Sequence, residues 1–207
     1  MTQAKRLRSA IWAAALVLIL SAGGGDWLGP RPAAAGDAPE VFSFGSGATE
    51  VFVFTDYFCP PCQAVEPYLE KALTELFQAG AKVTFVDKPL DARTPLYSRY
   101  FLYAANAAES FAELLRIRRT IFDIARTRAV ESESELLRLL KASGIRLKLF
   151  DVQPAFAKWQ DLIERFGVRS TPTCIVARPG HDRQSFTGGR AIPQGIDRLL
   201  AEIAAGA

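Results

Sequence analysis

The fold of this chain is decided by residues 51–62, which read VFVFTDYFCPPC. Val51–Phe54 is a continuous run of β-branched and aromatic residues, which predicts a strand buried on both faces. After the second proline the pattern changes, because apolar residues now recur at helical spacing. We therefore predict a helix over 60–79, with Cys59 and Cys62 at its N-terminus.

The segments that follow alternate between strand and helix patterns. Residues 82–86 form a second strand candidate, and strand, helix, strand in this order is a βαβ unit with parallel strands. Further helices are predicted at 95–108, 110–127, 132–142, 154–166 and 193–204, and further strands at 173–177 and 184–186. The pattern indicates one α/β domain with a helical insertion, at about 91–150, between its two halves.

Residues 1–35 are typical of an export signal. Three bases among residues 5–8 precede an uncharged, largely apolar stretch over 9–25. The apolar run is shorter than the roughly 20 residues of a comfortable membrane span, so cleavage and retained anchoring both stay open. We expect 1–35 to be a signal peptide or N-terminal membrane anchor plus linker. The domain over 36–207 is then periplasmic or otherwise extracytoplasmic in a bacterium.

The charge balance argues against nucleic acid as a partner. The chain has 25 Lys and Arg against 22 Asp and Glu, but the excess lies in residues 1–35, and the rest carries equal numbers of each. A domain without surplus base has little with which to hold phosphates. The arginines of 116–128 are interpreted as a solvated helix face, and His181 as a solvated turn residue. Because His181 is the single histidine of the chain, a His-rich metal site is excluded.

The close spacing of the two cysteines favours a chemical role for them over a structural disulfide. A disulfide across two residues constrains the unfolded chain little, whereas a helix N-terminus favours a thiolate. We expect Cys59 to be the exposed nucleophile and Cys62 the buried resolving thiol. A structural disulfide, or a zinc site completed by Cys174 and His181, is the alternative. Cys174 itself is interpreted as a buried small hydrophobe, with a disulfide to Cys62 as the other possibility.

Three segments resemble a known family. Residues 54–62, the Lys88-Pro89-Leu90 tripeptide and residues 166–173 are similar to the thioredoxin superfamily, in particular to DsbA-like exported thiol oxidoreductases. The resemblance implies a thioredoxin-like fold with a helical insertion, and no metal or organic cofactor. It also implies that Pro172 is cis and lies against the cysteine pair, and that the backbone of Thr171 pairs with an extended substrate segment.

Aromatic residues beside the nucleophile are candidates for a substrate groove. Tyr57 and Phe58 are placed there, while Tyr97 and Phe101, four apart on a helix, are assigned to the core.

Two features depart from the family pattern. A buried acid commonly stands six residues before the first cysteine, and that position is Val53 here. Asp56, the nearest carboxylate, is interpreted as a capping or solvated residue, and ordered water is the default base for Cys62. Pro60 and Pro61 separate the cysteines, and proline has no N–H to offer the Cys59 sulfur. Fewer donors predict a lower reduction potential than that of strongly oxidising relatives.

The function predicted from the sequence is a thiol–disulfide oxidoreductase that acts through the Cys59/Cys62 couple. Its partners would be exported proteins with cysteines and a membrane redox partner, and the protein itself is expected to be a monomer. One alternative is a reductase fed by a membrane electron donor, for example in cytochrome c maturation. Another is a non-catalytic chaperone or metal carrier.

Overall fold

The computed structural model describes residues 40–127 and 130–206. In this part of the chain five strands and six helices follow one another. The strands are β1 (Ser43–Phe44), β2 (Glu50–Thr55), β3 (Lys82–Asp87), β4 (Thr173–Ala177) and β5 (Gln184–Thr187). The helices are α1 (Pro60–Gln78), α2 (Thr94–Ala105), α3 (Phe111–Thr127), α4 (Glu133–Ala142), α5 (Gln153–Phe166) and α6 (Ala191–Ala204).

The five strands form one mixed sheet in the order β1-β3-β2-β4-β5. β2 and β3 are parallel and are joined by α1, as the βαβ pattern predicts. β4 pairs antiparallel with β2, and Phe54 of β2 stands opposite Thr173 of β4. Residues just after β2 are therefore brought beside residues just before β4. This register places the segment that contains Cys59, after β2, next to the segment that contains Pro172, before β4.

The helix α1 begins where its two prolines need no hydrogen bond. Pro60 and Pro61 occupy the first turn, in which backbone N–H groups have no partner within a helix. Further along, Val65, Leu69 and Leu73 lie one turn apart and are buried against the sheet. The helix is thus held by its apolar face, and its N-terminus is left at the end of β2.

The helices α2, α3 and α4 lie between β3 and α5 in sequence and pack on one another, and α3 also packs on α1. This is the helical insertion that the sequence predicts. Tyr97 and Phe101 of α2 are fully buried, so their assignment to the core is correct. Helix α5 packs on β3, and α6 packs on α1 and β5.

The predicted signal or anchor, residues 1–35, lies outside the described residues. Among the helices that are described, none is long and apolar enough to cross a membrane.

Candidate functional site

Cys59 is the residue from which α1 starts. Its backbone is extended, with φ −79° and ψ 113°, and its carbonyl accepts the Gln63 N–H at 3.0 Å, which opens the helix. The side chain is partly exposed. Its Sγ donates to the backbone carbonyl of Thr171 at 3.5 Å, across 112 positions of sequence. A thiol that solvent can reach therefore stands at the positive end of a helix, against the loop before β4.

Cys62 lies one turn inside the same helix and is fully buried. Burial raises the pKa of the Cys62 thiol far above its ordinary value, and the neighbouring Cys59 raises it further, while the Thr171 hydroxyl and the Asp56 backbone oppose the rise. Both thiols are free. The pair is thus asymmetric, with one thiol facing solvent and the other kept protonated inside.

The Thr171–Pro172 peptide bond is cis, and the carbonyl of Pro172 accepts the Gly188 N–H at 2.8 Å. Pro172 is buried and Thr171 is half-buried. No residue that the structure describes accepts a hydrogen bond from the Thr171 N–H. The edge of this loop therefore presents a donor beside Cys59.

Asp56 is buried, so the expectation of a solvated residue is wrong, and its carboxylate instead caps backbone N–H groups. Its carboxylate accepts the backbone N–H of Phe58 and of Leu90 at 2.7 Å each, the Asp91 N–H at 3.2 Å, and the Thr94 hydroxyl at 2.7 Å. The side chain thereby ties the turn before Cys59 to the connection between β3 and α2.

The two aromatics before Cys59 differ in exposure. Tyr57 is fully buried, with its ring 4.9 Å from that of Phe122, so it does not line an open groove as expected. Its ring also lies 6.0 Å from that of Tyr97, so Tyr57 packs against both α2 and α3. Phe58 is half-buried, and the Arg93 guanidinium lies 4.0 Å above its ring. Pro60 and Pro61, which directly follow Cys59, are exposed.

Arg118 is fully buried under the site, so the interpretation of its helix face as solvated is wrong at this position. Its Nε donates to Glu66 at 2.6 Å, and its Nη2 donates to Glu66 at 3.0 Å and to the Thr55 hydroxyl at 2.8 Å. The signal that could have identified it is its place on the apolar stripe of α3, four residues after Leu114 and three before Ile121. Val53, at the position of the family acid, is fully buried and faces Cys174 in register.

Two other buried groups lie outside the cysteine pair. Burial raises the pKa of Asp87 to about 6, against the opposing effects of the Arg118 guanidinium and the nearby Ser98 and Tyr57 hydroxyls. Burial also raises the pKa of the fully buried Cys174 thiol to about 12. A thiol in this setting behaves as a small hydrophobe, as the sequence suggested.

Metal ligands do not cluster in the described ranges, where no group of three or more His, Cys, Asp or Glu is placed to hold an ion. His181 is exposed in its turn.

Comparisons with known proteins give structural neighbours only. No family model and no curated protein sequence matches the chain. A periplasmic thioredoxin-like protein from Salmonella enterica serovar Typhimurium superposes with a TM-score of 0.60 at 18% identity, over 79% of this chain and 89% of that one. A linker-deletion variant of Proteus mirabilis ScsC gives 0.59 at 17% identity, over 80% and 74%. Wolbachia pipientis alpha-DsbA1 gives 0.56 at 13% identity, over 80% and 93%. The chain therefore has the thioredoxin-like fold with a helical insertion that is seen in DsbA-like proteins.

Proposed function

We propose that this protein is a thiol–disulfide oxidoreductase of exported proteins, working through Cys59 and Cys62. One observation carries the proposal. A partly exposed thiol stands at the N-terminus of α1 against the carbonyl of Thr171, and a second thiol is buried one turn behind it. The fold of DsbA-like proteins supports it.

The chemistry is a two-electron exchange that the pair can perform in either direction. In reduction, the Cys59 thiolate attacks a substrate disulfide, forms a mixed disulfide and releases one substrate thiolate. Cys62 then loses its proton and attacks the Cys59 sulfur, which releases the second substrate thiolate and leaves the pair oxidised. In oxidation, a substrate thiolate attacks the Cys59 sulfur of the oxidised pair, and Cys62 leaves as a thiolate and takes up a proton. A second substrate thiolate then attacks the substrate sulfur of this mixed disulfide, which forms the substrate disulfide and releases Cys59 as a thiolate.

The environments of the two sulfurs suit these roles. Solvent reaches Cys59, so a substrate sulfur can approach it, and the helix N-terminus favours negative charge there. Cys62 is shielded, and burial keeps it protonated after release. The Thr171 carbonyl accepts a hydrogen bond from the reduced Cys59 thiol, so a substrate chain bound to Cys59 would lie beside the Thr171 loop.

Substrate binding is assigned to the loop before β4 and to the surface around Cys59. The unpaired N–H of Thr171 can donate to the backbone of an extended segment, the short β-like pairing by which many peptides dock. Pro172 shapes that loop, and Phe58, Pro60 and Pro61 supply apolar contact area. Tyr57 is not part of this surface, because it is fully buried.

We place the protein outside the cytoplasm, with cysteine-containing exported proteins and a membrane redox partner as its partners. The basic and apolar pattern of residues 1–35 supports this location, as does the periplasmic origin of the Salmonella neighbour. The more specific proposal is that it works as a reductase. Pro60 and Pro61 provide no N–H to the Cys59 sulfur, so the thiolate of the reduced pair gains less stabilisation there. A less stabilised reduced form favours a low reduction potential.

The test compares the purified protein with Cys59→Ser and Cys62→Ser, all in a Cys174→Ala background. Reduction of insulin disulfides should be lost in both, and only Cys62→Ser should accumulate a mixed disulfide with a cysteine-containing substrate. Equilibration with glutathione buffers then gives the potential of the pair, where a value near that of thioredoxin supports a reductase and one well above glutathione an oxidase. Client protection that survives Cys59→Ser, without any reductase or oxidase activity in the parent, would overturn the proposal in favour of a chaperone.

A further inference from the structure

A cavity of about 200 Å³ lies at the C-terminal end of β3, between α2 and α5. β1 pairs with Val83 and Thr84 alone, so none of the described strands covers the last residues of β3 on that side of the sheet. The apolar wall of the cavity is formed by Pro89, Pro95, Phe156 and Ile163. This volume is many times the space that a single water needs, so the cavity can hold a small organic molecule.

Buried polar groups line the same cavity without partners. The two carboxylate oxygens of Asp87, the Ser98 hydroxyl and the indole N–H of Trp159 make no hydrogen bond within residues 40–127 and 130–206. These side chains are exposed by only 2%, 1% and 2%. Buried polar groups are nearly always paired in native proteins, so a set of three around one cavity points to a bound molecule.

The charged groups around the cavity indicate the sign of the charge that the bound molecule carries. Asp56 is satisfied by four donors, and Glu66 holds both hydrogen-bonding nitrogens of Arg118. Arg118 makes no hydrogen bond to Asp87, and its Nη1 is itself unpaired within the described part of the chain. Among the described residues no donor meets the Asp87 carboxylate at full hydrogen-bond geometry, although the Ser98 and Tyr57 hydroxyls lie near it. Its negative charge is therefore only partly offset, and it favours a cation with N–H groups.

We propose that this cavity binds a small alkylammonium compound that also carries an oxygen acceptor, as in an amino alcohol. The ammonium group donates to the Asp87 carboxylate, and the oxygen accepts from the Trp159 indole and the Ser98 hydroxyl. The alkyl body packs against Pro89, Pro95 and Phe156. The ammonium group belongs either to a free amine or to a lysine side chain of another protein, since both present the same chemistry.

The experiment uses the indole N–H resonance of Trp159, identified by its loss in Trp159→Phe. 5-Amino-1-pentanol is titrated into ¹⁵N-labelled protein, with 1,5-pentanediol as the uncharged match and Nα-acetyl-lysine amide as the mimic of a protein lysine. The amino alcohol should shift the Trp159 resonance saturably, and the diol should bind at least tenfold more weakly. Asp87→Asn should weaken amine binding at least tenfold, whereas Asp161→Asn, an exposed change on α5, should not.

The outcomes distinguish the two sources of the ammonium group and show whether amine binding depends on the redox site. Tighter binding of the lysine mimic than of the amino alcohol supports the proposal with a protein lysine as the source, and the reverse order supports it with a free amine. Cys59→Ser should bind the amine as the parent does, because the cavity uses neither cysteine, and this holds whether or not the proposed redox function is correct. A Trp159 resonance that the amine does not move, or equal binding of amine and diol, means that water alone fills the cavity and overturns the proposal.

Discussion

Replacing Asp87 by asparagine should stabilise the protein at neutral and alkaline pH. Burial raises the pKa of this carboxyl from 3.8 to about 6, so the folded state holds the proton more tightly than the unfolded state does. The stability linked to Asp87 is therefore fully present below about pH 4 and is lost as the pH rises through 6. A shift of about two units, at 1.36 kcal/mol per unit, makes that loss about 3 kcal/mol by pH 8. The amide in the Asp87→Asn variant has no charge to bury and should escape this loss.

The assay is urea unfolding of parent and variant at pH 4, 6 and 8, followed by tryptophan fluorescence. The free energies of unfolding of the two proteins should nearly coincide at pH 4 and diverge by up to about 3 kcal/mol at pH 8, with Asp87→Asn the more stable. The other carboxyl groups cancel in the difference, because both proteins contain them. Asp161→Asn, which removes an exposed carboxylate, serves as the control and should show no pH-dependent difference. A variant that is less stable than the parent at pH 8, or a difference that does not change with pH, would refute the reasoning.

Three further changes test the buried network and the thiols. Arg118→Met leaves the Glu66 carboxylate buried without its partner and should lower the free energy of unfolding, measured in urea titrations, by about 3–5 kcal/mol. The double variant with Glu66→Gln should restore part of this loss. An unchanged unfolding midpoint in Arg118→Met would contradict the buried ion pair. Asp56→Asn keeps the side-chain volume but loses acceptor capacity for four donors, which should lower the free energy of unfolding by roughly 2–4 kcal/mol in the same urea titrations. A loss below about 1 kcal/mol would mean that water replaces the carboxylate. Cys174→Ala should leave the reduction potential of the Cys59 pair unchanged, and native iodoacetamide labelling followed by mass spectrometry should modify Cys59 but not Cys174; rapid labelling of Cys174 would show that it is accessible.

Local sequence was enough to predict the junction from which the site is built. The change from a continuous apolar run to helical spacing places the end of β2 and the start of α1, and the prolines confirm the start by chemistry that needs no tertiary contact. Cys59 and Cys62 therefore have their positions, at the N-terminus and one turn inside, from residues 51–62 alone. Placing the loop of Pro172 beside them required the family resemblance, because no local pattern specifies which strand pairs with β2.

The tertiary structure decided the fate of the polar and aromatic side chains around that junction. Arg118 lies on an apolar stripe that the sequence displays, but only the fold brings Glu66 to it from 52 positions away. Asp56 is buried because four donors from two connections converge on it, and Tyr57 is buried because α2 and α3 cover it. Helical and strand periodicity show which face of an element is apolar. They do not show what lies across that face, and a charge is buried only where distant partners replace its water.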